Sequence, residues 1–130
     1  MQNLRSRLAA GGHGTEYPPC WAEPETGRIE YIFDVALLAD GFLVRKRDLP
    51  DRAEDWQALP LEWRVVEQRL DAETFLARFA PLYAWSVEHE CRFFVRAFDE
   101  TGPTEKAIYK RQMRVLEARF YKYEVLIDSF

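Results

Sequence analysis

Residues 29–38 alternate between apolar and mixed positions. Tyr31, Phe33, Val35 and Leu37 share one side, and Ile32, Asp34 and Ala36 the other. That period predicts a strand. Ala39-Asp40-Gly41 follows as a hairpin turn, with Gly41 free to take positive φ. Phe42 to Arg47 reads as the return strand, with Phe42, Val44 and Lys46 set against Leu43, Arg45 and Arg47. Residues 48–62 are polar and carry Pro50 and Pro60, which predicts a loop with a helical turn around Ala53 to Leu59. Trp63 to Leu70 reads as a short strand. Asp71 then suits an N-cap. The helix behind it carries Phe75, Leu76, Phe79, Leu82, Tyr83 and Val87 at helical spacing. Pro81 interrupts that helix and predicts a kink.

Arg92 to Phe98 is the clearest strand. Phe93, Val95 and Ala97 face one side, and Arg92, Phe94, Arg96 and Phe98 the other. Asp99-Glu100-Thr101-Gly102 reads as a turn. Pro103 suits the first turn of a helix running to about Arg119, with Ile108, Val115 and Leu116 inward. Tyr121, Tyr123, Val125 and Ile127 alternate as a final strand. The fold class expected is α+β: a mixed four- to five-stranded sheet that starts with a β-hairpin, with two helices on one face, in the order ββ(β)αβαβ. Residues 1–10 read as the end of a helix or a leader that meets a glycine stop at Gly11-Gly12, and residues 11–130 as a single α+β domain.

Two stretches carry a resemblance. Ile32-Phe33-Asp34-Val35-Ala36-Leu37 leads into Asp40-Gly41, a return strand and a helix. Arg92-Phe93-Phe94-Val95-Arg96-Ala97-Phe98-Asp99 then precedes a closing helix. This order resembles the soluble domain of the ExbD/TolR family over roughly residues 29–127. The resemblance implies a fold and a homodimerisation module. It brings no activity, because the membrane helix that carries the family's proton-conducting aspartate has no counterpart here. The segment from Gly12-His13-Gly14 to Tyr17-Pro18-Pro19-Cys20-Trp21 is similar to uncharacterised bacterial domains appended to membrane-anchored coiled coils.

Composition adds limits. The chain has 130 residues, 48% of them apolar and 15% aromatic, which supplies a core and argues against disorder. A net charge of −4 argues against duplex DNA as a partner. No apolar run is long enough to span a membrane.

Both histidines and both cysteines fall in two short segments, His13 with Cys20 and His89 with Cys91. The residues alone leave several states open. One is a Cys2His2 zinc site, another a Cys20–Cys91 disulfide, and a third a Cys20 nucleophile with His13 as its base. Free buried thiols with surface or capping histidines are the expected state, with no cofactor. On that expectation the cytoplasm is favoured over the periplasm.

Lys106, Lys110 and Arg114 recur every four residues on the last helix and form one basic face, with Gly102-Pro103-Thr104 offering backbone donors at its start. Such a face suits a small phosphate-bearing ligand. Asp34 and Arg96 are expected to pair across neighbouring strands. Together these features favour a non-catalytic sensor or interaction domain. It would recognise a protein partner or a phosphate-bearing ligand through His13, Tyr17, Cys20, Trp21, Arg96, Lys106, Lys110 and Arg114, within a larger, possibly membrane-anchored assembly. The alternatives are a small Cys/His-dependent or zinc enzyme and a homodimerisation module.

Overall fold

The computed structural model describes residues 17–126 and Phe130. His13, Ile127 and the 1–10 segment lie outside the described residues. The chain forms β1 (Phe33–Leu38), β2 (Gly41–Lys46), α1 (Ala53–Ala58), β3 (Arg69–Leu70), α2 (Ala72–Glu88), β4 (Phe94–Glu100), α3 (Lys106–Glu117) and β5 (Tyr121–Val125). The sheet order is β3-β2-β1-β4-β5. Strands β1, β2 and β3 pair antiparallel, while β1–β4 and β4–β5 pair parallel. This is the mixed α+β sheet expected, hairpin first, with α2 and α3 as the connections that parallel pairing requires.

One face of the sheet is the core face. Phe33, Val35 and Leu37 of β1, Phe42 and Val44 of β2, and Val95 and Ala97 of β4 are buried there against Phe75, Phe79 and Leu82 of α2 and Met113 and Leu116 of α3. Phe33, Phe79 and Phe120 pack edge to face at ring separations of 5.6–6.0 Å, and Phe75 stacks on Phe42 at 4.5 Å. Each fully buried ring contributes roughly 1.5–3 kcal/mol by area alone. Asp71 caps α2, its Oδ1 accepting the Thr74 N–H at 2.7 Å. That bond holds the Asp71 carboxyl below its usual range. The helix continues through Pro81 to Glu88.

Several elements differ from the expectation, each for a local reason. Alternation starts at Phe33, because Tyr31 turns to the opposite face and lies beside Phe94 and Tyr123. Residues 63–70 give only the two-residue β3. Trp63–Val65 closes a 3₁₀ turn instead, and Glu67 takes positive φ. Helix α3 starts at Lys106 rather than Pro103. Gly102, at φ 119°, redirects the chain, and its carbonyl takes the Glu105 N–H in a turn. Gly102 to Thr104 therefore precede the helix and do not form its first turn. Gly41 is needed for a different reason from the one expected. Its φ is not positive, but a Cβ there would collide with the Leu70 carbonyl oxygen of β3. Glycine lets β3 approach the hairpin.

Candidate recognition face

No described helix packs on the other face of the sheet. The register sets Arg45, Asp34, Arg96 and Tyr123 side by side across β2, β1, β4 and β5. Arg96 grips Asp34 with two bonds, Nε to Oδ1 at 2.8 Å and an η-nitrogen to Oδ2 at 2.9 Å. Arg47 adds a second guanidinium 3.5 Å from the same carboxylate. The Asp34 side chain is only 15% exposed, so this pairing keeps a nearly buried charge from being stranded. Below the row, Tyr31, Phe94 and Tyr121 cluster, Phe94 meeting Tyr121 edge to face at 5.3 Å. Burial, with Tyr123 beside it, raises the Tyr31 hydroxyl pKa against the opposing pull of Arg96 and Arg47. Tyr123 is 57% exposed.

Above the row, Phe98 is buried although it points away from the helices. Phe130 lies on it edge to face at 5.6 Å, and Arg45 lies over the Phe130 ring at 4.1 Å while donating to its carbonyl at 3.4 Å. The face thus already holds one aromatic side chain between a ring and a guanidinium.

The Tyr17–Glu30 segment is strapped to the end of the sheet where β4 begins. Cys20 and Cys91 form a disulfide, which corrects the expectation of free thiols. The Pro19–Arg92 bridge explains why the sulfurs meet: Cys20 N–H donates to Arg92 O and Arg92 N–H to Pro18 O, both at 2.9 Å. Trp21 is 5% exposed, wedged between Trp56 at 4.9 Å and Phe93 at 5.6 Å. Arg52 clamps the strap from the other side. It bonds Glu30 twice and the Ala22 carbonyl, and lies over Trp21 at 5.1 Å. The Arg92 guanidinium sits over the rings of Tyr83 and Tyr121 at 4.7 Å and Tyr17 at 5.9 Å.

Among the described residues, the predicted site residues do not converge. Tyr17, Cys20 and Trp21 are built into the strap. Arg96 belongs to the helix-free face. Lys106, Lys110 and Arg114 are exposed on α3, which packs on the core face. Strap and α3 start are separated by the length of β4, about 23 Å. Both sulfurs are consumed in the bridge, so neither is available as a zinc ligand or nucleophile. His89 caps α2, stacked on Trp85 at 3.7 Å with Nδ1 2.7 Å from the Trp85 carbonyl. Among the described residues no three His, Cys, Asp or Glu side chains gather as a metal would require. The side chains of Lys106, Lys110, Arg111 and Arg114 make no hydrogen bond or ion pair with the described residues, as in a solvated helix face.

Sequence reading missed three structural side chains. Arg52 gave no periodic signal. Gln112 on α3 is buried, and its Nε2 donates to the carbonyls of Leu38 at 2.9 Å and Gly41 at 3.4 Å, tying the helix to the hairpin. Tyr109 donates to Glu124 of β5 at 3.1 Å. Burial first, and then that carboxylate, push the Tyr109 hydroxyl up to about 12. No protein-family model, curated protein or solved structure matches the chain.

Proposed function

We propose that this chain is a non-catalytic recognition domain that binds a polypeptide partner through the sheet face opposite its helices, in an oxidising compartment. The observation that carries the reading is the face itself. Arg45, Asp34, Arg96 and Tyr123 lie in one row, flanked by Tyr31, Phe94 and Tyr121. Arginine and tyrosine anchors are what protein interfaces concentrate at their energetic centres. The seat of Phe130 between Phe98 and Arg45 supports a polypeptide partner, because it accepts an aromatic side chain and a backbone carbonyl together. Among the described residues, both cysteines are held in a bridge and His89 in a helix cap. The ExbD/TolR-like order points the same way, toward assembly. A bridge between positions 71 apart, anchoring the strap to the core, favours a compartment that keeps thiols oxidised, over the cytoplasm.

The test is a set of face variants. Tyr123→Asp and Arg45→Glu replace exposed side chains and should leave the melting temperature within a few degrees. In extracts of the native cells, both should shift the protein from a larger complex to its free size on gel filtration. Lys110→Glu, on the helix side, should not. A complex that survives Tyr123→Asp and Arg45→Glu but is lost with Lys110→Glu would move recognition to the basic helix.

A further inference from the structure

We infer how the polypeptide partner is held, an inference that rests on the reading just given: the partner adds an extended segment to the sheet along β5, backbone to backbone. The sheet order ends on β5, so one side of that strand is an edge. Its other side is fully engaged. Tyr121 N–H donates to Phe93 O at 3.1 Å, and Tyr121 to Val125 keep register with Phe94 to Phe98. Successive residues of a strand turn their backbone groups to opposite sides. Tyr121, Tyr123 and Val125 therefore face β4, and Lys122 and Glu124 face outward. Among the described residues, the backbone N–H and C=O groups of Lys122 and Glu124 have no hydrogen-bond partner.

Proteins normally blunt such edges. The opposite edge is blunted: β3 has two residues, and Glu67 just before it takes positive φ. β5 has neither protection. It carries no proline, and its register skips no residue, so no bulge twists it away. Its charged side chains are drawn off the edge. Lys122 Nζ pairs with Glu117 of α3 at 2.8 Å, and Glu124 accepts the Tyr109 hydroxyl of the same helix at 3.1 Å. A donor and an acceptor repeating every second residue match the backbone of another extended strand, which is the chemistry of strand addition. Tyr123 sets the side-chain requirement. It is 57% exposed on the helix-free face, 6.2 Å from the Tyr31 ring. The added residue opposite Tyr123 points to that same face, so an aromatic or β-branched residue there extends the aromatic row.

Proline separates this edge from the rest of the face. Lys122→Pro removes an outward N–H that the fold does not use, and an edge strand tolerates that loss. Lys122→Ala loses the same side chain but keeps the N–H. In extracts of the native cells, Lys122→Pro should elute at the free size on gel filtration and Lys122→Ala in the larger complex, with melting temperatures within a few degrees of each other. Hydrogen exchange on the wild-type chain, resolved by residue, needs no variant. The Lys122 and Glu124 amides should exchange at least tenfold more slowly in the complex than in the free chain. The inference is overturned if folded Lys122→Pro stays in the complex, or if Lys122→Ala is released as fully as Lys122→Pro. It is equally overturned if the two amides exchange alike in both states. A larger species made of this chain alone would mean that β5 pairs with a second copy, and would overturn the separate partner. Release by Arg45→Glu but not by Lys122→Pro keeps the face and removes the edge, and the reverse keeps the edge and removes the face. A wild-type chain that elutes at its free size overturns both.

Discussion

Removing the Cys20–Cys91 bridge isolates what the strap contributes. The double substitution Cys20→Ala with Cys91→Ala leaves no stray thiol, because these are the only cysteines in the chain. The bond closes a loop between positions 71 apart. Loop-closure entropy for that span puts the loss at about 4 kcal/mol, carried mainly by the unfolded chain. A domain of this length is stable by roughly 10 kcal/mol, so the variant should still fold. Trp21 between Trp56 and Phe93, the Pro19–Arg92 bridge and the Arg52–Glu30 clamp remain to hold the strap. Urea denaturation followed by tryptophan fluorescence measures the change. With a slope near 2 kcal/mol/M for a chain of this size, the midpoint should fall by about 2 M. Wild type in reducing agent should show the same fall, and the variant no further one. A fall below about 0.5 M in both cases would mean that the bridge closes no significant loop, and would refute the strap's placement.

Other predictions probe the fold and its charges. Gly41→Ala forces a methyl onto the Leu70 carbonyl and should cost roughly 1–3 kcal/mol in urea denaturation, with faster amide exchange at Phe42 and Leu70. Gln112→Leu strands the Leu38 and Gly41 carbonyls and should cost about 1–3 kcal/mol by the same assay, although the residue it introduces is more apolar. Tyr109 holds its proton up to about pH 12 in the folded chain and to the ordinary 10.0 when unfolded. Its contribution is therefore fully present below pH 10.0 and is lost as pH rises toward 12. Ultraviolet titration should show the highest tyrosinate step missing in Tyr109→Phe and moved to lower pH in Glu124→Gln.

The sheet was legible because its strands alternate cleanly. Phe33, Val35 and Leu37 sit opposite Asp34 and Ala36, and Val95 and Ala97 opposite Phe94 and Arg96, so the faces follow from period two. The Asp34–Arg96 pair was legible for the same reason. Stretches without a period misled. Trp63 to Leu70 is apolar enough for a strand, but Trp63 and Val65 are drawn into the core from a 3₁₀ turn. The bridge was one of several open states, since no spacing rule shows that the strap runs beside Arg92 and brings Cys20 to Cys91. The proposed recognition face was half visible. Arg96 was singled out, but Arg45 and Tyr123 joined it only when parallel and antiparallel pairing fixed the register. The site predicted from His13 to Arg114 mixed residues from the strap, the helix-free face and the far side of a helix. Sequence proximity and charge do not tell which side of a sheet a residue reaches.

Photo-crosslinking from the two sides of the molecule tests the recognition face most directly. A photoreactive phenylalanine analogue placed at Tyr123 projects from the helix-free face, and one at Lys110 from the exposed side of α3. In the native cells, irradiation should yield a discrete polypeptide adduct from position 123 that disappears when Arg45→Glu is added, and none from position 110. An adduct from position 110 alone, or one from position 123 that Arg45→Glu leaves unchanged, would contradict the assignment.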